Sequence, residues 1–130
     1  MLSKTITVMT RKKEMFIDIT PCAAEFISKE RISHGVLTIF VPHTTAGITI
    51  NESADPSVVE DILSSIKRIV PDEFHYKHLE GNSAAHIKTL LTGSSLSIPV
   101  MNGKLLLGAW QGIFFCEYDG PRERKIVLSL

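Results

Sequence analysis

A single domain over residues 1–130 that mixes paired strands with about three helices is predicted, and three observations predict it. The length fits one core and is enough to bury roughly two thirds of the surface the unfolded chain would expose. Short segments of alternating or continuously β-branched apolar residues recur from Lys4 to Leu130, separated by turn formers. Between them, three stretches place apolar residues at helical spacing behind a capping residue or a proline. There is no linker, internal repeat or low-complexity segment to mark a second domain.

In order, Lys4 to Thr10 and Glu14 to Thr20 alternate apolar with polar residues, which predicts a hairpin through Arg11 to Lys13. Thr20-Pro21 opens a helix with a hydroxyl cap and a proline in the first turn. Ala23, Phe26, Ile27 and Ile32 form its stripe, and Gly35 offers a left-handed stop. Val36 to Val41 is continuously apolar, as a strand buried on both faces would be, and it ends at Pro42. Ala46 to Glu52 reads as a strand with Ile48 and Ile50 on one face and Gly47, Thr49 and Asn51 on the other, so that its polar face can line a cavity. Asp55-Pro56 starts the strongest helix, whose stripe of Val58, Val59, Ile62, Leu63, Ile66, Ile69 and Val70 ends at Pro71. The polar, aromatic stretch from Pro71 to Gly81 is a loop. Asn82 or Ser83 caps a third helix with Ile87, Leu90 and Leu91 inward and Gly93 as its stop. Ser94 to Met101 is a strand, Asn102-Gly103 a type I′ turn, and Lys104 onward a long returning strand. Its glycines, Gly108 and Gly112, mark a bulge or a close backbone approach. Asp119-Gly120-Pro121 turns the chain into an edge or closing strand from Lys125 to Leu130.

Fourteen basic residues balance fourteen acidic ones, so no global field draws the chain to nucleic acid or to an anionic membrane. The longest apolar runs fall far short of the ~20 residues a membrane span needs, and the opening residues alternate like a strand rather than like a signal peptide. A cytoplasmic protein is expected, with Cys22 and Cys116 as buried, reduced thiols.

The residues that carry chemistry concentrate between His43 and Pro56, where an imidazole, an amide, two carboxylates and several hydroxyls stand between apolar segments. His43 follows a strand, His78 sits in the polar loop, and His86 shares a helical stripe with Asn82. Together the three suit a facial site for a zinc-like ion, with Glu52 or Asp55 as base or orienting group; the alternative is that each is simply solvated or hydrogen-bonded. His34 and His75 are expected in solvent. Asp55 also fits a helix N-cap. Trp110 and Gln111 fit either a core anchor or a cavity wall. Arg122 and Arg124 fit either surface charge or, for Arg122, phosphate recognition.

His43-Thr44-Thr45-Ala46-Gly47-Ile48, Asn51-Glu52, Asp55-Pro56, His78, Glu80-Gly81-Asn82, Ala85-His86-Ile87-Lys88, Gly108-Ala109-Trp110-Gln111 and Asp119-Gly120-Pro121-Arg122 together resemble the secondary thiamine-phosphate synthase family, also called the YjbQ type. The likeness covers nearly the whole chain; Ala109 departs from it where a threonine is expected. The resemblance implies a compact α+β domain, mostly antiparallel and sandwich-like, assembling as a homotrimer with sites near subunit boundaries. It implies a transferase that joins a pyrimidine pyrophosphate to a thiazole phosphate. Asn51, Glu52 and Asp55 would be catalytic, and Asn82, Lys88, Gln111 and Arg122 would hold the small-molecule substrate. His43, His78 and His86 would bind metal. The cofactor is then either zinc-like at the histidines or magnesium carried with the pyrophosphate and held by Glu52 and Asp55. Two other activities fit the same residues: metal-dependent hydrolysis of a small phosphorylated or acyl metabolite, and metal or ligand binding without turnover.

Overall fold

The chain folds as two antiparallel sheets with three helices, in the order β1 (Ser3–Met9), β2 (Met15–Asp18), α1 (Thr20–Lys29), β3 (Gly35–Phe40), β4 (Ala46–Glu52), α2 (Pro56–Ile69), α3 (Ser83–Thr92), β5 (Ser95–Met101), β6 (Lys104–Leu105), β7 (Gln111–Glu117) and β8 (Glu123–Ser129). The computed structural model describes residues 2–130; Met1, the first residue of the expected domain, lies outside the described residues. One sheet runs β1-β8-β3-β5-β6 and the other β2-β7-β4, every pairing antiparallel. The expected compact α+β domain with mostly antiparallel strands is what forms.

The main core lies between the two sheets. Leu37, Ile39, Ile98, Val100, Ile126 and Leu128 face Ile48, Ile113 and Phe115, and Ala23, Phe26 and Ile27 of α1 join them. Strand β7 is buried on both sides: alternate residues Phe114 and Cys116, with Tyr118 just beyond, turn the other way and meet Phe16, Val59 of α2 and Ala85 of α3. The period-2 geometry of a strand allows this double burial, and the helical layer over the smaller sheet requires it.

Several local expectations change. β1 and β2 form no hairpin with each other; β1 pairs with β8 and β2 with β7, because the link between them crosses from one sheet to the other. The crossing is held at Thr10, whose N–H donates to the Arg122 carbonyl at 3.0 Å and whose hydroxyl donates to Glu117 Oε1 at 2.7 Å. Thr20 is the first residue of α1, not its cap, and its Oγ1 accepts the Ile113 N–H at 2.8 Å. The residue that ends α1 in the left-handed helical conformation is Arg31, at φ 53°, whereas Gly35, also at positive φ (155°), opens β3. β3 is buried on one face only, since Val36 and Phe40 are exposed while Leu37 and Ile39 are sealed. The long strand expected after Lys104 is two strands in different sheets, and β8 is central in its sheet, between β1 and β3. Asn102 and Gly103 both take positive φ, 53° and 75°, as a type I′ turn demands.

α2 starts where the sequence places it: Asp55 caps it, accepting from the Ser57 N–H at 2.9 Å and the Ser57 hydroxyl at 2.8 Å, although its apolar stripe is only half-buried and Ile69 is exposed. α3 does not. Its buried residues are Ala84, Ala85, Lys88 and Thr89, whereas Ile87, Leu90 and Leu91 are exposed. Small side chains face inward because the C-terminal end of α3 lies directly against β4: the Ile48 N–H donates to the Gly93 carbonyl at 3.1 Å. A Cβ on Gly47 would stand 2.5 Å from Thr92 Oγ1 and 2.6 Å from the Gly93 oxygen. The polar face of β4 is therefore covered by α3 at this end instead of lining a cavity.

Candidate functional site

A cavity of about 600 Å³ opens where the 41–45 loop, the 78–82 segment, α3 and the turn into β8 converge. Each of the three histidines singled out above lines it: His43 from the loop after β3, His78 from the segment before α3, and His86 from the first half of α3. Residues separated by about forty positions in sequence meet because α3 packs across the start of β4, with Gly93 bonded to Ile48, while Asn82 ahead of the helix is bonded to Asp119 just after β7.

The histidines are not equivalent. The rings of His78 and His86 stand edge to face, centroids 5.5 Å apart at 77°. His43 is committed elsewhere: the Lys125 N–H donates to its Nε2 at 2.9 Å. A backbone N–H can only donate, so Nε2 carries the lone pair and the neutral ring keeps its proton on Nδ1. Burial, together with the Arg124 guanidinium, holds the His43 pKa below its ordinary value, with the Glu117 carboxylate opposing.

Oxygen groups complete the wall. Asn82 Nδ2 donates to Glu80 Oε2 at 2.8 Å and to Asp119 Oδ2 at 2.9 Å. Its own Oδ1 is buried and finds no hydrogen-bond partner among the described residues. Arg122 is half exposed at the rim, with Nε on the Asp119 carbonyl at 2.9 Å and Nη2 on Asp119 Oδ2 at 3.1 Å. Of its five N–H groups these bonds use two.

Beneath the cavity lies an ion pair that the sequence reading missed. Glu117 is 0% exposed and Arg124 3%. Arg124 Nε donates to Glu117 Oε1 at 2.9 Å, and its Nη2 reaches Glu117 Oε2 as well as Thr45 Oγ1 at 2.8 Å. Burial pushes the Glu117 carboxyl up, but Arg124, the Asp119 N–H and the Thr10 hydroxyl outweigh it and hold the pKa below the usual value. The pair ties the 41–45 loop to β7 and β8, and so sets where His43 stands. Its signal in the sequence was the register of β8, in which Arg124 shares a face with the buried Ile126 and Leu128. Glu80 and Asp119 were visible only as parts of longer motifs.

The other expected site residues lie apart. Asn51, Glu52 and Asp55 stand at the far end of β4, roughly 20 Å along the strand from the cavity. Asn51 Oδ1 accepts from the Glu52 N–H at 2.8 Å, and Asp55 is spent on capping α2. Gln111 begins β7 at the same distant end, its Oε1 accepting the Gly108 N–H at 2.8 Å, and Trp110 beside it is exposed. Lys88 is 1% exposed and paired with Glu14 and Asp72, so it faces away from the cavity. Asn82 and Arg122 line the cavity. Among the described residues, no three His, Cys, Asp or Glu side chains are already gathered as a metal cage.

A two-sheet α+β domain with a histidine-lined polar cavity between a loop, a helix and a turn is thus the class of protein defined here. The chain belongs to the UPF0047 protein YjbQ-like family, whose model matches residues 4–130. It is 50% identical over 123 residues to the UPF0047 protein MJ1081 of Methanocaldococcus jannaschii, covering 95% of this chain and 89% of that one. It is 46% identical over 128 residues to the UPF0047 protein YugU of Bacillus subtilis, covering 98% and 97%. A Clostridium acetobutylicum structure, described as an uncharacterized conserved protein of the same family, superposes with a TM-score of 0.95 at 49% identity over 97% of this chain and 98% of that one. A Sulfolobus solfataricus structure, described as a YbjQ-like protein of unknown function, superposes with a TM-score of 0.93 at 37% identity, covering 98% and 94%.

These findings keep the family and correct the activity. The relatives are named as UPF0047 proteins without a reaction, and a solved structure is described as of unknown function, so thiamine-phosphate synthesis does not stand as this chain's function. Within one chain, Asn51, Glu52 and Asp55 stand outside this cavity. Among the described residues no helix is long and apolar enough to cross a membrane.

Proposed function

We propose that the cavity binds a small anionic molecule together with a zinc-like divalent ion. The observation that carries this reading is the convergence of His43, His78 and His86 on one cavity, with the His78 and His86 rings 5.5 Å apart. Imidazole nitrogens suit zinc and its neighbours far better than magnesium. The unpartnered Oδ1 of Asn82 fits the same ion, since a buried amide oxygen without a donor is costly unless something binds it. His78 and His86 would hold the metal. His43 would join them only by giving up the Lys125 N–H; as it stands it serves better as a neutral donor through Nδ1. Arg122, tied on one edge to Asp119, offers its remaining N–H groups to an anionic substituent. When bound, such an ion supplies Lewis-acid polarisation of a ligand oxygen.

The reading extends to assembly and place. Phe74 at 69%, Leu79 at 102% and Leu90 at 79% exposed surround the histidine-bearing segment, and they support the homotrimer that the resemblance implies. A cytoplasmic setting suits the two free thiols, Cys22 and Cys116. Light scattering on purified protein tests the trimer; a monomer at micromolar concentration would overturn it. For the site, calorimetric titration of chelator-treated protein is expected to give one zinc ion per chain and no magnesium binding, with loss of zinc in His86→Ala. Absence of zinc binding in the wild type would overturn the reading.

A further inference from the structure

Lys88 is the least expected buried group in the fold, and the site's own architecture explains it. Its side chain is 1% exposed, with Nζ 2.7 Å from Glu14 Oε1 and 3.2 Å from Asp72 Oδ1. A buried ammonium is tolerated only with such partners. The partners come from different places: Glu14 leads into β2 in the smaller sheet, whereas Asp72 begins the segment that runs from α2 to α3. Lys13 adds a weaker hold on Asp72, at 3.8 Å.

That segment carries His78. At its start the Asp72 carboxylate is bound to Lys88, and the Tyr76 hydroxyl folds back onto the Pro71 carbonyl at 2.6 Å. At its end Asn82 is bound to Asp119 at 2.9 Å. His86 stands on the same helix as Lys88 but two residues earlier, about 200° away around the axis, so one faces the cavity while the other faces the clamp. The helix that presents His86 therefore also holds the origin of the segment that presents His78.

We propose that Lys88 is a positioning residue: through Asp72 it fixes the 72–82 segment against α3 and so sets the placement of His78 beside His86. Its relevance to metal binding rests on the reading above, but the placement itself does not. Glu14 has the distinct job of neutralising Lys88 and anchoring it to the sheet. Glu14 is the closer and more buried partner of the ammonium, so a role confined to general stability would make its loss at least as damaging as that of Asp72, whereas positioning makes Asp72 the one that matters to His78.

The test uses chelator-treated full-length protein, with Asp72→Asn, Glu14→Gln and Lys88→Met compared by amide hydrogen exchange and by contacts between the two imidazole rings in NMR. Asp72→Asn is expected to raise exchange across residues 73–81 about ten-fold or more and to abolish the His78–His86 ring contact, while exchange in β3 and β8 holds. Glu14→Gln is expected to keep the ring contact and to change exchange in 73–81 by less than about two-fold. Should Lys88→Met fail to fold, the two carboxylate variants still decide. Equal effects of Asp72→Asn and Glu14→Gln, or an intact ring contact in Asp72→Asn, would overturn the proposal. Failure of the wild type to bind zinc would overturn the metal reading alone, because the exchange and ring-contact measurements are made without metal.

Discussion

Glu117→Gln tests the support of the site most severely. The substitution keeps the shape of the side chain and removes its charge, leaving the Arg124 guanidinium at 3% exposure with no carboxylate. Glu117 also accepts from the Thr10 hydroxyl and the Asp119 N–H, and the new amide can satisfy only part of that set. Breaking a buried pair from one side costs about 3–5 kcal/mol, because the surviving charge stays desolvated. Against a total stability of about 5–15 kcal/mol, that is a large fraction, and it corresponds to a fall in Tm of roughly 10–20 °C. Urea denaturation at pH 7 measures it. The pKa of Glu117 is lowered in the fold, so its stabilisation is fully present above its unfolded value and is lost as pH falls through the folded one. The difference between wild type and variant is therefore expected to shrink on acidification below about pH 4.5. A double change of Glu117 and Arg124 to apolar residues of similar size should be much less harmful than Glu117→Gln alone. A loss under about 1 kcal/mol for Glu117→Gln at pH 7, or a double variant as damaged as the single, would refute the account of this pair.

Three further outcomes are expected. Gly47→Ala should cost about 1–3 kcal/mol by thermal or urea unfolding, because its Cβ meets the backbone oxygen of Gly93 and cannot be accommodated by a rotamer change alone; unchanged stability would contradict the packing of α3 on β4. NMR titration should place His43 below the ordinary value of about 6.5, with Nδ1 protonated in the neutral ring, and its stabilising bond from the Lys125 N–H should fade as pH falls through that lowered value; an ordinary or raised value would contradict the geometry. Glu52→Ala and Asp55→Ala should leave zinc affinity within about two-fold, Asp55→Ala instead speeding amide exchange in the first turn of α2; a ten-fold loss of zinc in either would return these carboxylates to the site.

What could be read from the sequence was local. Asp55-Pro56 with its stripe specified α2, and Asn102-Gly103 specified a turn, because capping and positive φ are decided within a few residues. The inward face of α3 could not be read this way. Its apolar stripe of Ile87, Leu90 and Leu91 points outward, and burial goes to Lys88, whose partners Glu14 and Asp72 lie 74 and 16 residues away. The histidines stood out because neither a strand end nor a loop requires them, and the structure places all three on one cavity. Asn51, Glu52 and Asp55 seemed to belong with His43 because they follow it closely in sequence. An extended strand carries neighbours apart at ~3.3 Å per residue, so β4 delivers them to the opposite end of the sheet. The Glu117–Arg124 pair is the reverse case, seven residues apart in sequence and joined only because β7 and β8 fall in different sheets around one turn.

The division of labour among the histidines is tested most directly by a zinc titration of chelator-treated protein followed through the five imidazole signals by NMR. The account predicts that His78 and His86 shift and saturate at one equivalent, that His43 keeps its Nδ1–H tautomer, and that His34 and His75 stay unchanged. Zinc that leaves His78 and His86 unmoved, or that shifts His34 and His75 in their place, would contradict it.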